Sequence, residues 1–493
     1  MLVTSSIILD LVLILLVGIY FLFRYTSKKH KYFEKIGVYT PKIQPIFGHF
    51  LDIVLLRTTL AEWLKYYYDR VDKPFFGLYV FDDPYFVIKD ADIVKTILVK
   101  DFNSFVDRNI AAPDFTPLTK NMMFLQKSPA WKNDRAKMTV VFSSGKLKGM
   151  FPLIKKSVRD MTNFLQKNRK VMEAKELAAK FSTDVISQCA FGIDSHCFDE
   201  RPSLFRSYGR QCFEFSLRNA FAQTIYFFKP SWVERMKLEF MPKDAMTYFA
   251  EAFTKTMKSR TNNSTFNDLI DILNDLKEKK ELSQEDDVVL SAISIQFFLA
   301  GYETTSSAIS FTLYELAKHP HIQEKLREEI KSVLKKYGDI TYEAIQEMSF
   351  LEMCLLETLR MYPVLPFLER KCNSDYTIPN TNVVIENGTC VLFPIYGLQT
   401  DESIFPNPLT YTPERFNDNY YNLRGSYFLP FGEGPRGCIG ERFGKISAKM
   451  AIITALLNSN VTLCKQSPNP VRFEPKSFLL QSTVGLPLMF NPI

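Results

Sequence analysis

Little in this sequence invites zinc or disulfide chemistry. Its 493 residues include five histidines and eight cysteines. The histidines (His30, His49, His196, His319, His321) form no H-E-x-x-H and no zinc-ligand spacing, which disfavours a zinc hydrolase. The cysteines (Cys189, Cys197, Cys212, Cys354, Cys372, Cys390, Cys438, Cys464) contain no C-x-x-C pair and are too sparse for a disulfide scaffold. Charge of one sign is scarce too. The 61 Lys and Arg against 54 Asp and Glu leave +7, too mild for a dedicated nucleic-acid binder. No internal repeat, Gly/Ser linker or low-complexity tract occurs between residues 49 and 493. The composition, 46% hydrophobic and 23% charged, is that of a globular chain.

What is present starts with a long apolar run. Residues 7–23 read IILDLVLILLVGIYFLF with Asp10 the only charge. At about 1.5 Å per residue the run approaches the roughly 30 Å bilayer core, and residues 2–6 can extend it. Arg24, Lys28, Lys29 and Lys31 follow, whereas no Lys or Arg precedes it. The positive-inside rule then puts the body in the cytosol. A cleaved signal peptide would show a basic n-region and a small-residue cleavage site, and neither is visible. Residues 1–25 are therefore expected to be a transmembrane anchor. Residues 26–48, with Pro41 and Pro45, read as a basic and proline hinge, and residues 49–493 as one catalytic body.

Most of that body reads helical. Residues 91–100, 153–166, 288–316 and 320–336 carry apolar positions at three and four spacing. Residues 76–80 and 389–393 suit strands, and residues 375–435 should be mostly turns. The expected class is mainly α with small β-sheets (α+β), without the β-α alternation of a doubly wound sheet.

Residues 431–440 read FGEGPRGCIG and contain a literal G-x-G-x-x-G at Gly432, Gly434 and Gly437. A dinucleotide site is disfavoured there. Turns precede the glycines, and no acidic residue lies about 20 residues on to hold a ribose. The alternative centres on Cys438. Flanking glycines let backbone pass close to a flat ligand. A helix expected from about Gly440 and the charge of Arg436 would both lower the thiol pKa. The pattern F-x-x-G-x-R-x-C-x-G (Phe431, Gly434, Arg436, Cys438, Gly440) is satisfied at every fixed position, and in this the sequence resembles the haem-thiolate loop of the cytochrome P-450 family.

Three further motifs carry the same resemblance. Glu357 and Arg360 match its E-x-x-R and share a helix face. Pro413-Glu414-Arg415-Phe416 matches P-E-R-F, and Arg415 would complete a three-charge structural cluster beneath the haem. Ala300-Gly301-Tyr302-Glu303-Thr304-Thr305 resembles A-G-x-E/D-T-T/S. There a Thr hydroxyl can bond the carbonyl four residues back and bend the helix, opening the groove that in the family receives dioxygen. Glu303 and Thr304 form an acid-alcohol pair suited to proton delivery. Trp131 and Arg135 match W-x-x-x-R, whose members meet a haem propionate in the family; Arg370 and, more weakly, Arg108 join them. Taken alone, each short motif would read as core packing or a solvated ion pair.

The resemblance implies the cytochrome P-450 fold and haem b (iron protoporphyrin IX) with Cys438 as axial thiolate. It also implies O2 as co-substrate and insertion of one oxygen atom into a lipophilic small molecule. The pocket would draw on Phe105, Phe124, Phe297, Phe298, Ala300, Val364, Phe367, Thr483 and Val484. No flavin or NADPH fingerprint occurs in the sequence, so electrons are expected from a separate NADPH-cytochrome P-450 reductase, with cytochrome b5 as a second donor. Lys132, Arg135, Lys137, Arg442 and Lys445 flank the haem motifs as candidates to meet an acidic partner. The sequence looks most like arthropod microsomal members. That implies an endoplasmic reticulum anchor and xenobiotic detoxification, with hormone or pheromone oxidation as the alternative. Intact Glu303 and Thr304 argue against a reductase-independent isomerase or dehydratase and against a non-catalytic haem or lipid carrier. Two departures stand out: Gly437 where relatives usually carry Asn, and Gln399 where His is common.

Overall fold

The computed structural model describes residues 7–168, 170–260, 266–278, 287–417 and 423–493. The extension of the anchor over residues 1–6 lies outside them. Helices dominate, beginning with Ile7–Lys29, which is exposed along most of its length and is long and apolar enough to cross a membrane. The helix Asp287–Lys318 passes the same test of length and hydropathy, but it is the central helix of the body. A helix apolar all round must be covered all round. Here the covers are Ala174–Phe191 along one side and Lys243–Ser259, Ser349–Met361 and Glu441–Asn458 on the others. Gly301 leaves room for Ala174–Phe191, since a Cβ there would sit 2.6 Å from Ile186 Cδ1.

Among the described residues, three small sheets complete the body. The largest runs in the order Phe75–Val80, Asp83–Ile88, Cys390–Phe393, Leu368–Lys371, with antiparallel, parallel and antiparallel pairings. Its last strand sends Glu369 and Arg370 to opposite faces, and both are buried. Val171–Glu173, Pro487–Pro492 and Ser459–Leu463 form the second sheet, and Tyr376–Thr377 pairs with Val384–Ile385 in the third.

Three expectations change. Residues 91–100 are not one regular helix: Ala91–Lys95 is followed by a wider π-helical turn, Thr96–Lys100, closed by Asp101 N–H donating to Thr96 O at 2.8 Å. Residues 375–435 hold, besides turns, the short helix Ile395–Gln399 and the 3-10 turn Pro413–Phe416. The segment 26–48 does not stand off as a hinge. Phe33 is fully buried in a second apolar cluster, filling the space left by Gly77, where a Cβ would lie 2.2 Å from Phe33 Cδ2. Tyr25 OH donates to Asp82 Oδ2 at 3.2 Å, His30 Nε2 meets Phe81 O at 2.7 Å, and Thr40 Oγ1 donates to Gly77 O at 2.9 Å.

Candidate active site

Between residues 290 and 317 of the central helix, the only positions not fully buried are Gln296, Phe297, Ala300, Gly301 and Thr304. These fall at i, i+1, i+4, i+5 and i+8, one face of the helix. A single accessible face in an otherwise covered helix faces an interior lumen. Thr304 Oγ1 donates to Ala300 O at 2.6 Å, the back-bond expected of it. Phe297 stacks on Phe142 at 5.2 Å and meets Phe443 edge-on at 5.3 Å. Phe298 does not line the lumen. It is turned by one residue into the opposite packing, against Phe205, Phe249 and Tyr302.

The glycine-rich loop holds Cys438 by its backbone. Cys438 N–H donates to Phe431 O at 2.7 Å and Gly437 N–H to Gly434 O at 2.9 Å, and Gly432 and Gly434 adopt φ of +69° and +70°. Of the eight cysteines, Cys438 alone is exposed. Yet its sulfur is enclosed by protein on most sides, so the accessible area opens inward. Enclosure pushes the thiol up, opposed by the Gly440 N–H and by Arg135 and Arg108. The helix Glu441–Asn458 begins just after, as expected, but Glu441 at its start works against the thiolate. Arg436, expected beside the sulfur, instead donates to Val106 O at 2.9 Å and Gln126 O at 3.0 Å and lies 3.9 Å above the Trp131 ring. The loop carbonyls of 106–126 outcompete the thiol as acceptors.

Around this loop five cations, Arg108, Lys127, Arg135, Arg370 and Arg436, face two carboxylates, Asp107 and Glu369. Burial and mutual repulsion depress them: Arg370 falls to about 9, and Arg436 and Lys127 to about 8. Arg370 is fully buried, yet among the described residues its side chain makes one hydrogen bond, from Nη1 to Glu369 O at 2.8 Å, and its Nε has no partner. A buried guanidinium with no direct ion pair is costly. Two carboxylates at the edge of a bound ligand match this donor set, because guanidinium-carboxylate pairs are strong and bidentate. The propionates of a haem would meet that requirement.

Beneath the loop lies a three-charge cluster. Arg360 Nε and Nη2 pair with Glu357 at 2.7 and 2.8 Å, and Arg415 Nε reaches Glu357 Oε1 at 2.9 Å. Gln399 is a hub here. It donates to Leu359 O and Arg360 O at 3.0 and 3.1 Å and accepts from Leu429 N–H at 3.0 Å, joining the E-x-x-R helix to the loop. An uncharged amide thus does structural work where a histidine is common.

Of the expected pocket residues, Phe124 and Phe367 line one cleft with Arg108, Arg370 and Phe227. Val364 O accepts from Leu480 N–H at 3.0 Å, and Thr483 and Val484 sit at the exposed tip of that turn. Phe105 is a correction. It is fully buried in the second apolar cluster, edge-on to Tyr376 at 4.9 Å, because the register of its turn points it at the sheet.

The largest surprise concerns Glu303. Glu303 is 2% exposed, and its carboxylate lies 2.8 Å from Lys175 Nζ, off the accessible face that carries Thr304. Lys175 Nζ also donates to Glu303 O, Ser306 Oγ and Ser307 Oγ at 3.0, 2.8 and 2.7 Å. Burial pushes this ammonium down while Glu303 opposes the shift. Nothing in the sequence links two residues 128 positions apart.

The sequence matches the cytochrome P450 profile over residues 39–488. Cytochrome P450 6k1 of Blattella germanica is 37% identical across 99% of this chain and 98% of its own length. Probable cytochrome P450 6g2 and cytochrome P450 6a2 of Drosophila melanogaster are 35% and 34% identical, each over 97% of this chain and 98% and 99% of their own lengths. A cysteine loop opening onto a lumen, a cationic edge suited to propionates and a match along the whole body lead to one assignment: the chain belongs to the cytochrome P450 family, haem-thiolate monooxygenases that generally draw electrons from a reductase.

Proposed function

We propose that this monooxygenase oxidises lipophilic foreign compounds at the endoplasmic reticulum membrane, with Cys438 as the iron ligand. The excess of five buried cations over two carboxylates beside Cys438 carries the reading. Arg108, Arg135 and Arg370 would hold the propionates of a haem, while Arg436 and Trp131 brace the loop from behind. When bound, that haem would supply dioxygen activation, in which two electrons from the reductase and two protons let one oxygen atom enter the substrate and the other leave as water. The chain's own residues do the rest. The Gly440 N–H points at the sulfur and favours the thiolate. Thr304 presents a hydroxyl to the lumen, and Glu303, released from Lys175, relays protons to it. Phe124, Phe297 and Phe367 exclude water and favour apolar substrates. Residues 7–29 anchor the body, cytosol-facing, and exposed Lys132 and Arg442 meet an acidic reductase, or cytochrome b5; Lys445 is held by Glu352 and Glu441.

The test is the optical spectrum of the reduced protein under carbon monoxide. A strongly red-shifted, thiolate-type Soret band is expected, and Cys438→Ala should lose it while keeping the fold by circular dichroism. An unchanged band in that variant would refute the ligand assignment.

A further inference from the structure

The accessible face of the central helix is apolar or small except at two places, Thr304 and Gln296. Gln296 lies two helical turns before Thr304, about 12 Å along the axis. Its orientation is set by the opposite wall: Phe124 N–H donates to Gln296 Oε1 at 2.8 Å. Because a backbone N–H can only donate, the oxygen of the amide must face Phe124. The NH2 group is thereby turned elsewhere, and among the described residues it has no acceptor. It is not among the buried atoms lacking a partner, so it reaches open space. The wall that fixes it is itself held: Phe124 packs on Phe227 at 5.9 Å and beneath the Arg108 guanidinium at 4.5 Å.

We propose that Gln296 is a specificity-determining residue whose Nε2–H donates to an acceptor oxygen of the substrate, so that the site selects lipophilic molecules carrying a carbonyl, lactone or ether oxygen at the end remote from the oxidised carbon. The proposal rests on the haem-site reading above. An apolar lumen leaves an amide donor with either trapped water or a ligand oxygen to satisfy it, and a ligand that supplies the oxygen gains over one that buries the donor unpaired. The spacing of two turns fixes the other end: a molecule anchored at Gln296 extends past Ala300 toward Thr304.

Two probes of nearly equal shape separate this from simple apolar fit. 7-Ethoxycoumarin carries a lactone carbonyl at the far end from its ethoxy group, and 2-ethoxynaphthalene lacks it. Binding of each to the haem-loaded full chain is followed by the shift in haem spin state, which needs no turnover. The wild type should bind the coumarin about 3- to 10-fold more tightly, the range of one neutral hydrogen bond. Gln296→Glu retains an acceptor for Phe124 N–H but removes the donor, and Gln296→Leu removes both. Each should bring the ratio close to one while changing the naphthalene affinity about twofold or less. A ratio that survives both substitutions, no preference in the wild type, or no shift with either probe overturns the assignment. Carbon monoxide spectra of the same samples keep the two readings apart. A thiolate band with an unchanged ratio defeats only the role of Gln296, whereas a wild type without that band defeats the haem site.

Discussion

Gly432 and Gly434 share nearly the same backbone conformation, φ +69° and +70°, but not the same surroundings. A Cβ on Gly432 would find nothing closer than Leu368 Cδ1 at 3.7 Å. On Gly434 it would lie 2.0 Å from Leu98 O and 3.0 Å from Leu98 C, both backbone atoms of the π-helical turn. Alanine at either site bears the strain of a left-handed L-residue, about 1–2 kcal/mol. Only at 434 must a carbonyl also retreat by about 1 Å to reach the 3.0 Å below which real Cβ atoms essentially never fall. No side-chain rotation relieves that contact, so the total should be about 4 kcal/mol or more, a large share of a typical folding free energy. Gly432→Ala should therefore lower Tm by a few degrees and retain haem. Gly434→Ala should detach the loop from Leu98 and lose most bound haem, with a much larger fall in Tm. Thermal melts and haem-to-protein ratios of the two purified variants make the comparison. Equal effects would mean that φ strain alone matters and that the approach to Leu98 is not obligatory.

Two other predictions follow from buried ionisable groups. Lys175→Met removes the partner of a buried carboxylate; breaking such a pair costs about 3 kcal/mol, less than a fully enclosed pair because the lysine is one-fifth exposed. The Tm should fall by several degrees; a variant with wild-type stability would show that Lys175 holds nothing of consequence. His49 accepts from Tyr79 N–H at Nδ1 (2.9 Å) and meets Pro41 O through Nε2 (3.2 Å), so it is held neutral, and burial pushes its pKa down to about 4. Unfolded, it binds a proton near pH 6.5. Its contribution is complete above that value and is lost as pH falls from about 6.5 through 4, by up to about 3 kcal/mol. Hydrogen exchange at the Tyr79 amide should accelerate over that window, and His49→Gln should flatten the dependence; acceleration unchanged in the variant would place the titration elsewhere.

The parts of the site that were legible in the sequence are those built from neighbours. The Cys438 loop, the Glu357/Arg360 pair and the span of the central helix rest on spacings within one segment. Orientation was less accessible. Phe297 and Phe298 are adjacent in a helix apolar on every side, so periodicity does not say which one faces the lumen. The partners of Arg436 were not legible, because its acceptors are carbonyls of residues 106–126, which no side-chain motif marks. Lys175, Gln399 and the Phe124 contact of Gln296 depend on chain crossings far apart in sequence. Phe105 follows the same logic, its direction being set by the sheet it packs on.

The seating of Phe33 beneath Gly77 also decides how this enzyme is to be made without its lipid. A soluble form cut just before Tyr32 discards the apolar helix and keeps the plug. A cut at the proline-rich stretch near residue 48, where the sequence alone would place it, leaves a phenylalanine-sized hole against the first strand of the large sheet. Truncations of that kind cost about 3–5 kcal/mol. The useful start of a detergent-free catalytic body is therefore residue 32, some sixteen residues ahead of the apparent boundary.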